Sequence, residues 1–120
     1  MNNTMKVIFH IDEREKWDLT LANVKNILNE AEVQDRPIEV EVLVNAAPVM
    51  DLQVGIEESK EIQDTIAELQ ERGVVIAACK NALSKHDVPE DLLMPDITLV
   101  QAGVFELAEK QGEGFAYIRP

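Results

Sequence analysis

The chain is poor in the residue types that most often announce chemistry. Of 120 residues, one is cysteine and two are histidine. A lone cysteine excludes an intramolecular disulfide framework, and a reducing compartment suits it best. The histidines stand far apart, and no C-x-x-C, H-E-x-x-H or EF-hand spacing occurs, so no metal site is expected. Only five residues are glycine. G-x-G-x-x-G, Walker and G-x-S-x-G motifs are all missing, and no cofactor is expected. Bases are few: 11 against 23 acids, a formal net charge of −12. Nucleic-acid backbones and anionic membrane surfaces repel such a chain, so neither is expected as a partner. No apolar run approaches the roughly 20 residues that span a bilayer. The start, "MNNTMKVIFHID", lacks the charged-then-apolar pattern of a secretory leader. A cytoplasmic soluble protein is the expectation.

What is present suits a packed core. Hydrophobic residues make up 46% of the chain, and the length fits one domain over residues 1–120. "KVIFHI" (6–11) is a short β-branched and aromatic run, which reads as a strand buried on both faces. In "DEREKWDLTLANVKNILNEAE", Trp17, Leu21, Val24, Leu28 and Ala31 recur at helical spacing. "IEVEVLVN" (38–45) reads as a second strand, and "AAPVMDLQVG" as a loop with a helical turn. "SKEIQDTIAELQERG" is a helix with Ser59 as N-cap, Ile62, Ile66 and Leu69 as its stripe, and Gly73 as its stop. "VVIAAC" is a third strand, "KNALSKH" a short helix, and "DVPEDLLMP" a loop. "DITLVQ" is a fourth strand, "GVFELAEKQGEG" a helix, and "FAYIRP" a last short strand. The acidic runs "DEREKWD", "GIEESKE" and "VPED" read as solvated surface. Strands alternating with helices imply a three-layer α/β/α sandwich around a mainly parallel sheet of about five strands.

In such sheets ligands bind beyond the carboxyl ends of the strands. That rule picks out His10, Asn45, Cys79 with Asn81, and Gln101 with Gly103, one group for each of the first four strands. Cys79 is the leading candidate. It stands at a strand-to-helix junction, where backbone N–H groups, the helix dipole and Lys80 favour a thiolate. It is equally a small hydrophobe of the kind that fills cores, and position alone leaves both readings open. His10 is a candidate general base or ligand-orienting group. His86, in "SKHDVPE", reads as solvated.

Three segments resemble the DsrE/DsrF-like family of small intracellular sulfur-relay proteins, in particular its short branch. They are "VIFHID" (7–12), "GVVIAACKNAL" (73–83) with its A-C-x-N, and "VQAGVFELAEKQGEGFAYIRP" (100–120), which ends in G-[FWY]-A-Y-I-[RK]-P. The resemblance implies an α/β/α sandwich of the DsrEFH type, assembled as a homotrimer or hexamer. It implies a sulfurtransferase-type carrier, with Cys79 taking sulfur as a persulfide from a donor protein and passing it to an acceptor. Some family members lack the cysteine and act as structural subunits. The alternative is therefore a non-catalytic oligomeric module that binds a small molecule or a partner protein. Asn81 and His10 are candidates to hydrogen-bond the terminal sulfur; if a strand separates theirs, direct contact between His10 and Cys79 is not expected. Apolar residues in "AAPVMDLQVG" and "EDLLMP" are expected on the outside, covered by a neighbouring subunit.

Overall fold

Strand β1 (Met5–Ile11) is buried without interruption from Val7 to Ile11, as an apolar run in a two-sided sheet should be. The structure, a computed structural model, describes residues 3–120. Residues 1 and 2, which begin the segment read above for a leader, lie outside the described residues. A 3-10 turn, Arg14–Lys16, leads into α1 (Trp17–Val33), which buries the expected stripe of Trp17, Leu21, Val24, Leu28 and Ala31. Then come β2 (Ile38–Val44), a 3-10 segment Ala47–Leu52, and a 3-10 turn Glu57–Ser59 running into α2 (Lys60–Glu71). β3 (Val75–Cys79) passes directly into α3 (Lys80–Lys85). β4 (Ile97–Val100), α4 (Gly103–Gly112) and β5 (Ala116–Ile118) complete the fold.

Among the described residues, all four α-helices stop the same way. A left-handed residue follows each, and the next residue's N–H reaches back to the third-last helical carbonyl: Arg36 to Ala31, Val74 to Leu69, Val88 to Leu83, Phe115 to Lys110. This double-turn closure satisfies carbonyls that the helix leaves open. The left-handed residue is Gly73 or Gly114 in two cases and Asp35 or Asp87 in the others. Asparagine and aspartate are among the few side chains that tolerate this conformation, so an aspartate stop is as legible a signal as the glycine.

The sheet is parallel throughout, in the order β4-β3-β2-β1-β5. α1, α2 and α3 share one face, where Phe9, Ile11, Val42, Val44 and Ile76 meet Trp17, Leu21, Val24, Ile66, Leu69 and Leu83. The other face carries a smaller core: Ile8, Leu43 and Ala77 against Leu107 and Phe115 of the α4 region. Right-handed crossovers explain the division. From β1 to β4 the chain advances one strand at a time, which puts its helices on one face. From β4 it must return across the whole sheet to pair β5 with β1, and the reversed direction puts α4 on the opposite face.

Two expectations are corrected. Ser59 stands at the N-cap position of α2 but makes no capping bond. Its backbone is already helical, φ −96° and ψ −4°, because the 3-10 turn runs straight into α2, whereas a capping residue is extended; its hydroxyl donates to Asp51 Oδ1 at 2.8 Å. The segments "AAPVMDLQVG" and "EDLLMP" are outer apolar surface only in part: Val54 and Leu92 are exposed, but much of the rest turns inward. They pair with each other through a Gln53–Leu93 bridge and Met94 N–H to Leu52 O at 2.9 Å. That pairing turns Val49, Leu52 and Met94 into the chain's own core. The large exposed hydrophobics include Val33 and, on α4, Val104 and Phe105.

Candidate functional site

The loops leaving β3 and β4 part to opposite faces, one into α3 and the other into α4. Where neighbouring connections diverge, a crevice opens at the carboxyl edge of the sheet, and this is where open α/β sheets bind ligands. Cys79 ends β3 at that point, opposite Val100 of β4. Three residues beyond Val100, Gly103 begins α4 and its N–H donates to Cys79 Sγ at 3.3 Å. The thiol in turn donates toward Gln101 O at 3.9 Å. The helix that holds the sulfur is therefore α4. Cys79 occupies the N-cap position of α3, with extended backbone and no side-chain capping bond. Lys80 does not serve the sulfur either; its ammonium lies 3.8 Å from Glu90. The cysteine is 6% exposed.

Gly103 suits a close approach. A methyl group there would lie 3.1 Å from Leu43 Cδ1 and 3.2 Å from Asn45 Nδ2, tighter than ordinary van der Waals contact. Around the crevice rim, Gln101 Nε2 donates to Asn81 Oδ1 at 2.9 Å, and the Asn81 N–H reaches Gln101 O at 3.3 Å. A hollow of about 400 Å³, lined by Val100, Gln101, Ala102, Phe105 and Glu106, borders the same loop. Hollows of similar size at Leu28, Arg36 and Arg72, and between α1 and α2, lie away from the β3–β4 crevice.

His10 sits two strands away, because β2 separates β1 from β3. At about 4.8 Å per strand, the backbones are roughly 10 Å apart. His10, 9% exposed, bonds instead to its immediate neighbours. Its Nε2 lies 3.1 Å from Asn45 Oδ1 at the end of β2, and its Nδ1 lies 2.6 Å from the Tyr117 hydroxyl on β5. The structure thus brings Cys79, Asn81, Gln101 and Gly103 into one cluster and His10 with Asn45 into a second. Asn45 lies against Gly103 and joins the two. His86 is half-buried at the end of α3 and takes no part.

Tyr117 escaped the sequence reading. Its partner is 107 residues away, and only the β1–β5 register, which sets Ile8 beside Tyr117, brings them together. Asp51 escaped as well. Buried at 3% exposure, it accepts from Arg14 Nε and a terminal guanidinium nitrogen at 3.0 and 2.8 Å, from Trp17 Nε1 at 3.0 Å, and from Ser59. The carboxylate raises the Arg14 pKa, chiefly through that hydrogen bond. The cluster clamps the loop after β2 to the start of α1 and α2. An acid enclosed by apolar neighbours, "VMDLQV", was the available signal. Arg14 and Ser59 belong to the runs read as solvated; most acids around them are exposed as expected, while Asp12 is half-buried against Arg119.

Glu41 is the second buried acid, at 4% exposure beneath α4. Burial pushes its pKa up from 4.5 to about 8, Glu106 adds to the rise, and Lys110, 3.9 Å from Oε1, opposes it.

Comparison with known proteins agrees with this architecture. The model of the DsrE/DsrF-like family matches residues 5–120. A protein of unknown function, MTH1491 from Methanobacterium thermoautotrophicum, superposes with a TM-score of 0.83 at 30% identity, covering 97% of this chain and 99% of its own. The ychN protein from E. coli superposes with a TM-score of 0.74 at 14% identity, covering 97% and 99%. BT1422 from Bacteroides thetaiotaomicron, a conserved protein of unknown function, does so with a TM-score of 0.67 at 16% identity, covering 99% and 96%. The last two show the fold alone. No curated protein sequence matches the chain. Among the described residues no helix is long and apolar enough to cross a membrane.

Proposed function

Because this chain belongs to the DsrE/DsrF-like family, which is associated with sulfur relay, we propose that it is a cytoplasmic sulfur carrier whose Cys79 takes up persulfide sulfur and passes it to a partner. The observation that carries this reading is the Gly103 N–H aimed at Cys79 Sγ in the crevice between the β3 and β4 loops. An N–H donor at the start of a helix stabilises negative charge on sulfur. The transfer needs no net oxidation. The Cys79 thiolate attacks the outer sulfur of a donor persulfide, a new S–S bond forms on Cys79, and the donor S–S bond breaks with its thiolate leaving. An acceptor thiolate then attacks the outer sulfur on Cys79, which leaves as thiolate. Asn81 and Gln101 line the exposed rim where a donor or acceptor would approach. Incubation with a small-molecule persulfide followed by intact-mass analysis should show addition of one sulfur, absent in Cys79→Ser. An unchanged wild-type mass, under conditions that load a known carrier, would sink the reading.

We also infer that the protein is a homo-oligomer, a trimer or hexamer. α4 alone covers its face of the sheet and leaves Val104 and Phe105 71% and 69% exposed. Surface of that kind seeks cover. Light scattering that returns a clean monomer at micromolar concentration overturns this. A second reading, a non-catalytic oligomeric module, draws on the 6% exposure of Cys79. It gains if a thiol reagent modifies Cys79 only after unfolding.

A further inference from the structure

We propose that Tyr117 and His10 are positioning residues of the Cys79 site, which lock the Asn45 side chain so that its amide nitrogen serves the crevice. The proposal rests on the carrier reading for its purpose, but its geometry stands separately. An amide oxygen accepts and never donates. The 3.1 Å contact between His10 Nε2 and Asn45 Oδ1 therefore places the ring hydrogen on Nε2. In the neutral ring Nδ1 is then an acceptor, and the Tyr117 hydroxyl, 2.6 Å away, donates to it. With the ring neutral and the amide oxygen turned toward it, one arrangement satisfies all three groups: Tyr117 O–H to His10 Nδ1, and His10 Nε2–H to Asn45 Oδ1.

The consequence lies at the other end of the Asn45 amide. With the oxygen held by His10, Nδ2 is directed to the Gly103 side, 3.2 Å from where a side chain at 103 would begin. Among the described residues Nδ2 has no acceptor. Gly103, against which it rests, gives its own N–H to Cys79. A line of contacts thus runs along the carboxyl edge from β5 through β1 and β2 to β3, across three strand spacings of about 4.8 Å. At its end stands an unused N–H donor against Gly103, the residue whose own N–H is on the sulfur. The chemical class it suits is an anionic acceptor atom, such as the outer sulfur of a Cys79 persulfide or the thiolate that leaves a donor.

The experiment is carried out on the full chain. Nitrogen-15 NMR of the His10 ring, at a pH where it is neutral, should show hydrogen on Nε2 and none on Nδ1. Tyr117→Phe should broaden that tautomer into a mixture and slow sulfur uptake from a small persulfide about two- to tenfold, the range of one lost neutral hydrogen bond. Asn45→Asp keeps an acceptor for His10 and exchanges the amide donor for a negative charge, which repels a thiolate or persulfide at that place. It should leave the ring tautomer intact and slow uptake more than tenfold. A ring with hydrogen on Nδ1, or Asn45→Asp loading at the wild-type rate, overturns the proposal. If the wild type takes up no sulfur, the carrier reading falls, and the tautomer with its response to Tyr117→Phe decides the positioning role alone.

Discussion

Replacing Glu41 by glutamine should remove a pH dependence that the fold carries in its smaller core. Glu41 lies on β2 between Ile8 of β1 and Val75 of β3, under α4. Glu106, Lys110 and Glu113 face it. Its Oε2 is buried and accepts no hydrogen bond, a costly state for a carboxylate. A proton on that oxygen resolves the cost, because Glu41 then donates to Glu106. The folded pKa of about 8 lies above the 4.5 of the unfolded chain. Between those values the folded state holds a proton that the unfolded state has lost, so this stabilisation is full below pH 4.5 and drains away as pH rises through 8. At face value the shift amounts to about 5 kcal/mol, of which the fall between pH 6 and pH 9 accounts for about 2–3 kcal/mol. Glutamine keeps the shape and a donor toward Glu106 but does not titrate. Urea unfolding at pH 6, 7, 8 and 9 should show the wild type losing about 2–3 kcal/mol relative to Glu41→Gln across the series. Because only the difference is read, titration of the other acids cancels. Parallel pH profiles for the two proteins would refute the reasoning.

Two further substitutions test other parts of the structure. Asp51→Ala leaves the Arg14 guanidinium, the Trp17 N–H and the Ser59 hydroxyl without their shared acceptor. It should cost about 3–5 kcal/mol in urea unfolding, and a loss below about 1 kcal/mol would show that the clamp is ornamental. Ala46 follows Asn45 with φ 56° and ψ −151°, a region that suits glycine and costs other residues about 1–3 kcal/mol. Ala46→Gly should therefore raise stability by about 1 kcal/mol after the loss of chain entropy, and a lower unfolding midpoint contradicts the strain.

The elements were legible because local chemistry wrote them. Trp17, Leu21, Val24, Leu28 and Ala31 keep helical spacing, and all are buried on one face of α1. The family membership implied by the three quoted segments is borne out over residues 5–120, as is the α/β fold. What the sequence concealed was pairing at a distance. The direction in which each strand joins the sheet depends on crossover handedness, and the β5–β1 pairing that delivers Tyr117 to His10 rests on three residue pairs. Helix assignment alone pointed to α3 as the source of the sulfur's N–H donor. The register of β3 with β4 brings α4 over Cys79 instead. Ser59 has the composition of a cap, but its backbone is already helical and its hydroxyl goes to the buried Asp51.

The placement of α4 gives this molecule an unusual economy of opening. The same helix roofs one face of the sheet, shields Glu41 from water, and lends its first N–H to Cys79. A local fluctuation that frees α4 would hydrate the smaller core and release the sulfur together, while the larger core stayed folded. The exchange rate of the α4 amides and the labelling rate of the thiol would then report one event.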